Sequence, residues 1–392
     1  MAHYDLMHKD LLVSELDMDL DTGLISSVVS VSRLDHMPVR TVRGGHPDSK
    51  SLKDWWSGRS IPVSRTGIRD LCEYLGIGAP FRLLMESNGL CLSDHYWIRQ
   101  HNADLSWSSV NFLENDFSED MGDLLFGRDV PERGLDLSSP DSTTEGNLRK
   151  KWKIIGSKRR LLKSGTPPIN QEPFNEVIAA HISEALGIPH VDYDLISDGR
   201  LLCSACDDFI DGGSEFVSAY NVMVSTPRSN NTTSLDHYVG CCREHGIDIT
   251  HDVDMMLVLD YLMVNVDRHT NNFGIIRDPD TLEWKGASPI FDTGASLGFD
   301  KIVDDIQYAS SDRCKPFRKS FDDQLTLVSD LDWVDMDALR SSLDGVEDIL
   351  GSADGAVPED RRDAIMLLLR SRISSLERRV RAISDRDLLS RR

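Results

Sequence analysis

Two short segments constrain this chain more than any other feature of its sequence. The first occupies residues 265–274 and reads NVDRHTNNFG, and the second occupies residues 289–294 and reads PIFDTG. Asp267 precedes Asn272 by five residues, and Asp292 follows that Asn by twenty, directly after an apolar run. A polar loop followed by an apolar strand that ends in Asp-Thr-Gly is expected to bring these three polar side chains together.

Phosphoryl transfer requires three groups of this kind. One carboxylate accepts the proton of the attacking hydroxyl, while an amide oxygen and a second carboxylate hold magnesium ions on the nucleotide phosphates. The interval from Asp267 to Asn272 is that of the kinase catalytic loop, although the His-Arg-Asp order is reversed here to Asp267-Arg268-His269. We therefore expect Asp267 to be the base, Asn272 and Asp292 to be the magnesium ligands, and His269 to support the loop. The alternative is a polar loop in which Asp and Asn are turn residues.

Charge limits the partners of the chain. Lys and Arg number 43 and Asp and Glu number 65, which gives a formal net charge of −22. A surface this acidic repels phosphate backbones and anionic lipids, so direct nucleic-acid binding and membrane adhesion are not expected. Nucleotide binding remains compatible with this charge, because a local lysine and bound magnesium reverse its sign within one cleft.

The remaining composition favours a globular protein of the cytoplasm. Hydrophobic residues make up 40% of the chain, enough for a buried core. The first twenty residues do not resemble a signal peptide, and no apolar run reaches the roughly 18 residues of a membrane span. The seven cysteines form no disulfide framework.

Periodicity predicts the main elements between the first region and the C-terminus. The segments 152–155 and 160–163 indicate a β-hairpin that ends in Lys163. An apolar stripe from Phe174 to Leu186 indicates a helix that Gly187 ends. Further expected elements are helices over 64–76, 252–266 and 361–383, strands at 191–196 and 200–203, a linker and loop over 128–146, and a largely helical remainder over 315–392.

Four motifs in this order resemble the HipA-like serine/threonine kinases of bacterial toxin–antitoxin and stand-alone systems. They lie within residues 138–325: Leu161-Leu162-Lys163, the run from Glu172 to Glu176 that leads into residues 186–189, and the two segments described above. The resemblance implies an α+β, bilobed protein-kinase-like fold. A small β-containing lobe would span about 131–215 and a mostly helical lobe about 216–392, preceded by an accessory region, 1–130, without an assigned role.

The resemblance also implies cofactors and site residues. It implies ATP and magnesium as cofactors and a protein Ser or Thr as the acceptor. Lys163 resembles the strand lysine that contacts the ATP phosphates, and Glu176 resembles its partner on the following helix, with Glu172 as the alternative partner. The hinge that reads the adenine base would lie near Cys206, Asp207 and Phe209.

One departure from kinases concerns the phosphate loop. No Gly-x-Gly-x-x-Gly sequence precedes Lys163, and residues 138–146 occupy the matching place with a single glycine. In that position Ser142, Thr143 and Thr144 would lie close to the γ-phosphate, where they are candidate autophosphorylation sites. A phosphate there, with a charge of about −1.5 to −2, would repel the nucleotide. The alternative is a loop of ordinary turn-forming residues.

Two further functions remain open at this stage. One is a small-molecule kinase similar to the aminoglycoside or choline kinases, and the other is a catalytically weak nucleotide-binding module. A helix-turn-helix antitoxin is a candidate partner, because the resemblance includes toxin–antitoxin systems.

Overall fold

The computed structural model describes residues 1–128, 134–353 and 355–390, and the described chain is a mixed α/β structure. Its strands form two four-stranded sheets, one three-stranded sheet and one two-stranded ribbon. The predicted boundary at residues 130–131 and the last two residues of the chain lie outside the described residues.

The N-terminal region is built on an antiparallel sheet in the order β3-β2-β1-β6, which the sequence analysis did not predict. The first strand is buried at four consecutive positions, so the alternation that identifies a half-buried strand is missing from it. The strands are Ala2–His8 (β1), Leu11–Asp19 (β2), Leu24–Val31 (β3), Val42–Arg43 (β4), His46–Pro47 (β5) and Tyr96–Gln100 (β6). The helices are Ser49–Gly58 (α1), Ile68–Leu75 (α2), Phe81–Glu86 (α3), Trp107–Val110 (α4) and Asp120–Leu125 (α5).

The tryptophans of this region are core residues. Trp55 and Trp56 pack with the inner face of the sheet, while Trp97 and Trp107 belong to a neighbouring apolar cluster. All four are buried. They hold the sheet against the helices rather than form an exposed stacking surface.

The second sheet has the order β7-β8-β10-β9 and begins with the predicted hairpin. Its strands are Lys150–Ile155 (β7), Lys158–Ser164 (β8), Tyr193–Asp198 (β9) and Leu201–Asp207 (β10). Lys163 pairs with Ser204 on one side and with Lys150 on the other. The predicted helix follows as Glu172–Leu186 (α6), and Gly187 ends it in the left-handed conformation at φ 67°.

The C-terminal part combines a short antiparallel sheet with a helical core. The strands are Glu215–Ser218 (β11), Gly274–Arg277 (β12) and Trp284–Ala287 (β13). The helices are Ala219–Ser225 (α7), Ser234–Glu244 (α8), Thr250–Met263 (α9), Phe321–Leu325 (α10), Met336–Gly351 (α11) and Glu359–Ser390 (α12). Every residue of α9 from Val253 to Met263 is buried, because apolar residues surround this helix on all sides, and Asp254 and Asp260 are buried with them. Among the described helices, none has the length and apolarity needed to cross a membrane.

The described part of the predicted linker is more ordered than its polar sequence indicates. Residues 140–143 form a 3₁₀ turn, and Ser139, Asp141 and Ser142 are buried. The amide of Ile61 donates to the carbonyl of Ser142, so the N-terminal region holds this segment. Small polar residues indicate a loop, but they also satisfy a buried backbone.

Candidate active site

A buried ion cluster links the hairpin, the helix and the Asp-Thr-Gly segment. The Nζ atom of Lys163, at the end of β8, donates to Glu176 Oε1 at 2.9 Å and to Asp292 Oδ1 at 2.7 Å. Glu176 also accepts a hydrogen bond from the amide of Thr293 at 2.8 Å. Glu172 instead accepts from the amide of Thr166 at 3.1 Å, so Glu176 is the carboxylate that contacts the lysine.

Burial and charge oppose each other in this cluster. Burial alone would raise the pKa of Asp292, but Lys163 and Lys150 outweigh it and hold the pKa of the carboxyl well below its usual range. Burial would likewise lower the pKa of Lys163, but Asp292 and Glu176 raise it well above its usual value. Both groups are therefore charged at neutral pH.

The segment with Asp292 is held in place by the first turns of α6. Asn175 donates its amide group to the carbonyls of Gly294 and Ser296, both at 2.8 Å. A side chain at Gly294 would lie 3.3 Å from the Glu176 carboxylate, which explains the glycine at this close approach. Asp292 has a positive φ of 57°, an uncommon conformation that often occurs at functional sites.

Arg268 connects the Asp267 loop to the same segment. The side chain is completely buried and pairs with Asp260 of α9 at 3.0 Å. It also donates to the carbonyl of Asn272 at 3.0 Å, to the carbonyl of Phe291 and to the hydroxyl of Thr293 at 3.0 Å. One buried guanidinium therefore fixes both polar segments relative to the helix.

Asp267 and Asn272 lie on opposite sides of a tight turn. The side-chain nitrogen Nδ2 of Asn272 donates to the backbone carbonyl of Asp267 at 3.2 Å, which leaves the Oδ1 atom of the same side chain for a cation. The Asp267 carboxylate is about half exposed and pairs with Lys315 at 2.6 Å. His269 supports the turn, because its Nδ1 atom accepts from the amide of Asn271 at 3.3 Å. Burial lowers the pKa of His269, so the ring favours the neutral form this contact needs.

The donor atoms fit magnesium. In the part of the chain that the structure describes, no cluster of three or more His, Cys, Asp or Glu side chains is placed to hold a metal ion. Magnesium does not require such a cluster, because it binds through one or two carboxylates together with phosphate oxygens and water. Asn272 and Asp292 supply oxygen ligands of this type, whereas zinc would favour nitrogen or sulfur.

A cavity of about 330 Å³ contains most of the predicted site. Lys163, Asn272 and Asp292 line it together with the predicted hinge residues Cys206, Asp207 and Phe209. Asp267 lies at the same turn as Asn272. Among the described residues, Arg40, Trp55, Arg59 and the segment 91–94 of the N-terminal region also line this cavity.

The three hydroxyl residues of the predicted phosphate loop lie in different surroundings. Thr143 and Thr144 line the cavity. Ser142 is completely buried, and its hydroxyl contacts the hydroxyl of Ser87 at 2.7 Å. Ser142 therefore faces the N-terminal region, and the structure does not bring it to the cavity with its two neighbours.

A second lysine of the cavity, Lys150, was not predicted from the sequence. Lys150 is buried beside Lys163 because the two residues pair across β7 and β8. Burial lowers the pKa of Lys150 to about 8, although Asp292 opposes this effect. The register of the predicted hairpin was the available signal, since the residue opposite Lys163 on an adjacent strand points to the same side.

Comparison with known proteins gives one clear similarity in sequence. The chain is 31% identical over 136 residues to the serine/threonine-protein kinase CtkA of Helicobacter pylori. The aligned part is 32% of this chain and 40% of that protein, so the chain spans well under half of this relative's length. No protein-family model matches the sequence. The predicted resemblance to serine/threonine kinases of this kind is confirmed over that part of the chain.

Two solved structures show a more distant likeness. The crystal structure of Helicobacter pylori CtkA, a proinflammatory kinase, covers 60% of this chain and 95% of its own, with 20% identity and a TM-score of 0.45. HipA of Shewanella oneidensis, solved with HipB and operator DNA, covers 95% of this chain and 97% of its own, with 14% identity and a TM-score of 0.49.

Proposed function

We propose that this chain is an ATP- and magnesium-dependent kinase that transfers the γ-phosphate to a Ser or Thr hydroxyl of a protein. One observation carries the proposal: Lys163 contacts Glu176 and Asp292 in a cavity that Asn272 also lines, beside the turn that presents Asp267. Phosphoryl transfer uses this combination of a paired lysine, two oxygen ligands and a carboxylate base.

In the proposed reaction, the acceptor hydroxyl oxygen bonds to the γ-phosphorus while the bond to the β–γ bridging oxygen breaks, and ADP leaves. Asp267 accepts the proton of the hydroxyl. Its exposure leaves room for an acceptor, although Lys315 occupies one carboxylate oxygen. Asn272 and Asp292 would hold magnesium, which supplies positive charge to the phosphates.

The nucleotide would lie between the hinge and the Lys163 cluster. Backbone groups of residues 206–209 would read the adenine, and the ammonium of Lys163 would contact the α- and β-phosphates. Glu176 orients that ammonium and connects it to Thr293, so a shift of α6 would disturb both the lysine and the magnesium ligand. The role of Glu176 is thus to position Lys163.

We propose that the fold has two lobes. The sheet of β7 to β10 with α6 would be the small lobe, and the helical core around α9 would be the large lobe, with the cavity between them. A protein acceptor is favoured by the similarity to a serine/threonine-protein kinase. A helix-turn-helix partner and a cytoplasmic location stay predictions.

Transfer of a radioactive γ-phosphate from ATP into a bacterial lysate tests this function. We expect the label to appear on Ser or Thr of acid-precipitable protein with the wild type, and to be lost with Asp292→Asn because a magnesium ligand is weakened. Label in acid-soluble molecules would favour a small-molecule kinase. Nucleotide binding without any transfer would favour an inactive nucleotide-binding module.

A further inference from the structure

One arginine of the N-terminal region binds three consecutive carbonyl groups of the predicted phosphate loop. Arg65 Nε donates to the carbonyl of Gly146 at 2.5 Å, and its Nη2 atom donates to the carbonyls of Thr144 and Glu145 at 2.7 and 2.8 Å. The next carbonyl, that of Asn147, accepts from the backbone and the hydroxyl of Thr66, both at 3.4 Å.

These contacts determine where the amides of the loop point. In a trans peptide the carbonyl and the following N–H lie on opposite sides of the chain. Because the carbonyls of Thr144, Glu145 and Gly146 face Arg65, the amides of Glu145, Gly146 and Asn147 face away from it. No oxygen of the described residues accepts a hydrogen bond from these three amides.

Two of these amides, those of Glu145 and Gly146, belong to residues that line the cavity. Residues 143–146 line it, whereas Arg65 approaches the loop from the N-terminal region. Gly146 has a positive φ of 86°, and a side chain at this position would meet the ammonium of Lys150 at 2.9 Å. Consecutive free amides around a left-handed residue form an anion-binding concavity, and here a lysine ammonium lies beside it.

Arg65 remains a cation in this position. The side chain is only 2% exposed, and burial lowers its pKa to about 10, against the opposing effect of Asp141 and Asp292. It is therefore charged at neutral pH, when its hydrogen bonds to carbonyl groups are strongest.

We propose that Arg65 shapes residues 144–147 into a nest of backbone amides that binds the phosphate groups of the nucleotide. The inference rests on the proposed function and names the element that replaces a glycine-rich loop. A glycine-rich loop turns its amides to the phosphates through its own flexibility. In this chain a residue from another region holds the loop in that form, and Arg65 is a positioning residue.

Measurements of nucleotide affinity distinguish a role of Arg65 in phosphate binding from a general role in stabilising the fold. ATP, ADP and adenosine are titrated, each with magnesium, into the wild type, Arg65→Met and Arg65→Lys. We expect Arg65→Met to lower the affinities for ATP and ADP roughly 10- to 100-fold, which is the effect of losing one or two hydrogen bonds to a charged group. The affinity for adenosine should be unchanged. Arg65→Lys should lose less affinity for ATP and ADP, because the lysine ammonium can still donate hydrogen bonds to some of the loop carbonyls.

Arg99→Met is the matched control. Arg99 lies in the same region and binds Asp5 at 3.1 Å and the carbonyl of Leu105 at 3.0 Å, without contact to the loop. We expect all three affinities to be unchanged in this variant. An equal loss of ATP and adenosine in Arg65→Met, or no loss of ATP, would overturn the proposal.

Hydrogen exchange tests the nest without relying on activity. ATP with magnesium should protect the amides of residues 145–147 in the wild type, adenosine should not, and Arg65→Met should lose the protection. If ATP binds and is consumed while these amides stay unprotected, the nest is wrong and the kinase function stands. If the wild type binds no ATP, the kinase function itself fails.

Discussion

Lys163 lies between two carboxylates, and this arrangement predicts what a bound nucleotide replaces. Its ammonium is 2.9 Å from Glu176 and 2.7 Å from Asp292. Magnesium would replace Lys163 as the partner of Asp292. Phosphate oxygens of the nucleotide would replace Asp292 as a partner of Lys163. The ion pair between Lys163 and Asp292 therefore keeps both charges balanced in a buried site before the nucleotide arrives.

Replacing Lys163 by Met tests this role at the residue scale. We expect Lys163→Met to lower ATP affinity and turnover at least tenfold, because a neutral side chain of similar length makes no charge-assisted contact with phosphate. Lys153→Met is the control on the same hairpin, since Lys153 pairs with Glu119 at 3.2 Å, away from the cavity and the predicted hinge. Calorimetric titration and an ATP-turnover assay measure both effects, and circular dichroism checks the fold. Equal behaviour of the two variants would show that Lys163 has been assigned wrongly.

Asp208, in the predicted hinge, gives a pH-dependent prediction. Burial raises the pKa of this carboxyl to about 8, and its Oδ2 atom has no partner among the described residues. The folded state thus holds a proton that the unfolded chain loses near pH 4. The resulting stabilisation is complete below about pH 4 and is lost as the pH rises through about 8.

Asp208→Asn removes this dependence, because an amide does not titrate. We expect the melting temperature of the variant relative to the wild type to increase from pH 5 to about pH 8 and to level off above that pH. Thermal unfolding in a series of buffers measures the difference. A difference that stays constant over this range would contradict the raised pKa of Asp208.

At the scale of elements, the sequence predicted the helices and strands whose residues follow a regular pattern and did not predict those without one. The hairpin, α6 and α9 were predicted because their apolar spacing or their turn residues are local signals. Strands β11 to β13 have four residues each, too few for a pattern to be recognised. Strand β10 extends to Asp207, beyond the predicted end at residue 203, because its pairing with β8 continues to Arg160.

Helix α9 also shows why buried charge is difficult to interpret from sequence. Asp260 lies within an apolar run, and its partner Arg268 follows eight residues later, beyond the end of the helix. Both side chains are completely buried. The pair fixes the Asp267 turn to the helix, a role that spacing alone does not reveal.

Removing one member of this pair should be costly. Arg268→Met leaves Asp260 buried without its counter-ion, and we expect a loss of about 3–5 kcal/mol in the free energy of unfolding. The control is Arg340→Met, whose exposed arginine pairs with Asp337 and Glu377, and we expect a loss below about 1 kcal/mol. Denaturant titration measures both values. Similar losses in the two variants would mean that the buried pair contributes no more than a surface one.

At the scale of the whole molecule, contacts between distant parts of the chain determine which residues line the cavity. His8 approaches Glu215 at 3.1 Å, Lys9 approaches Asp280 at 2.8 Å, and the carbonyl of Ser93 accepts from the amide of Phe216. Residues 1–130 could not be given a role from the sequence, because no local pattern indicates a partner about two hundred residues away. Other contacts of the N-terminal region, from the amide of Ile61 to the carbonyl of Ser142 and from Arg65 to the carbonyls of residues 144–146, hold the predicted linker in place.

If phosphoryl transfer in this cavity uses Asp267 as the base, loss of that carboxylate should slow the chemical step itself, and a single-turnover experiment measures that step. The rate of γ-phosphate transfer to protein is compared between the wild type and Asp267→Asn at saturating ATP and magnesium. We predict a fall of about 10²–10⁴-fold, the usual contribution of a positioned base, with ATP affinity nearly unchanged because Asp267 does not hold the nucleotide. Transfer at the wild-type rate in Asp267→Asn would contradict the account.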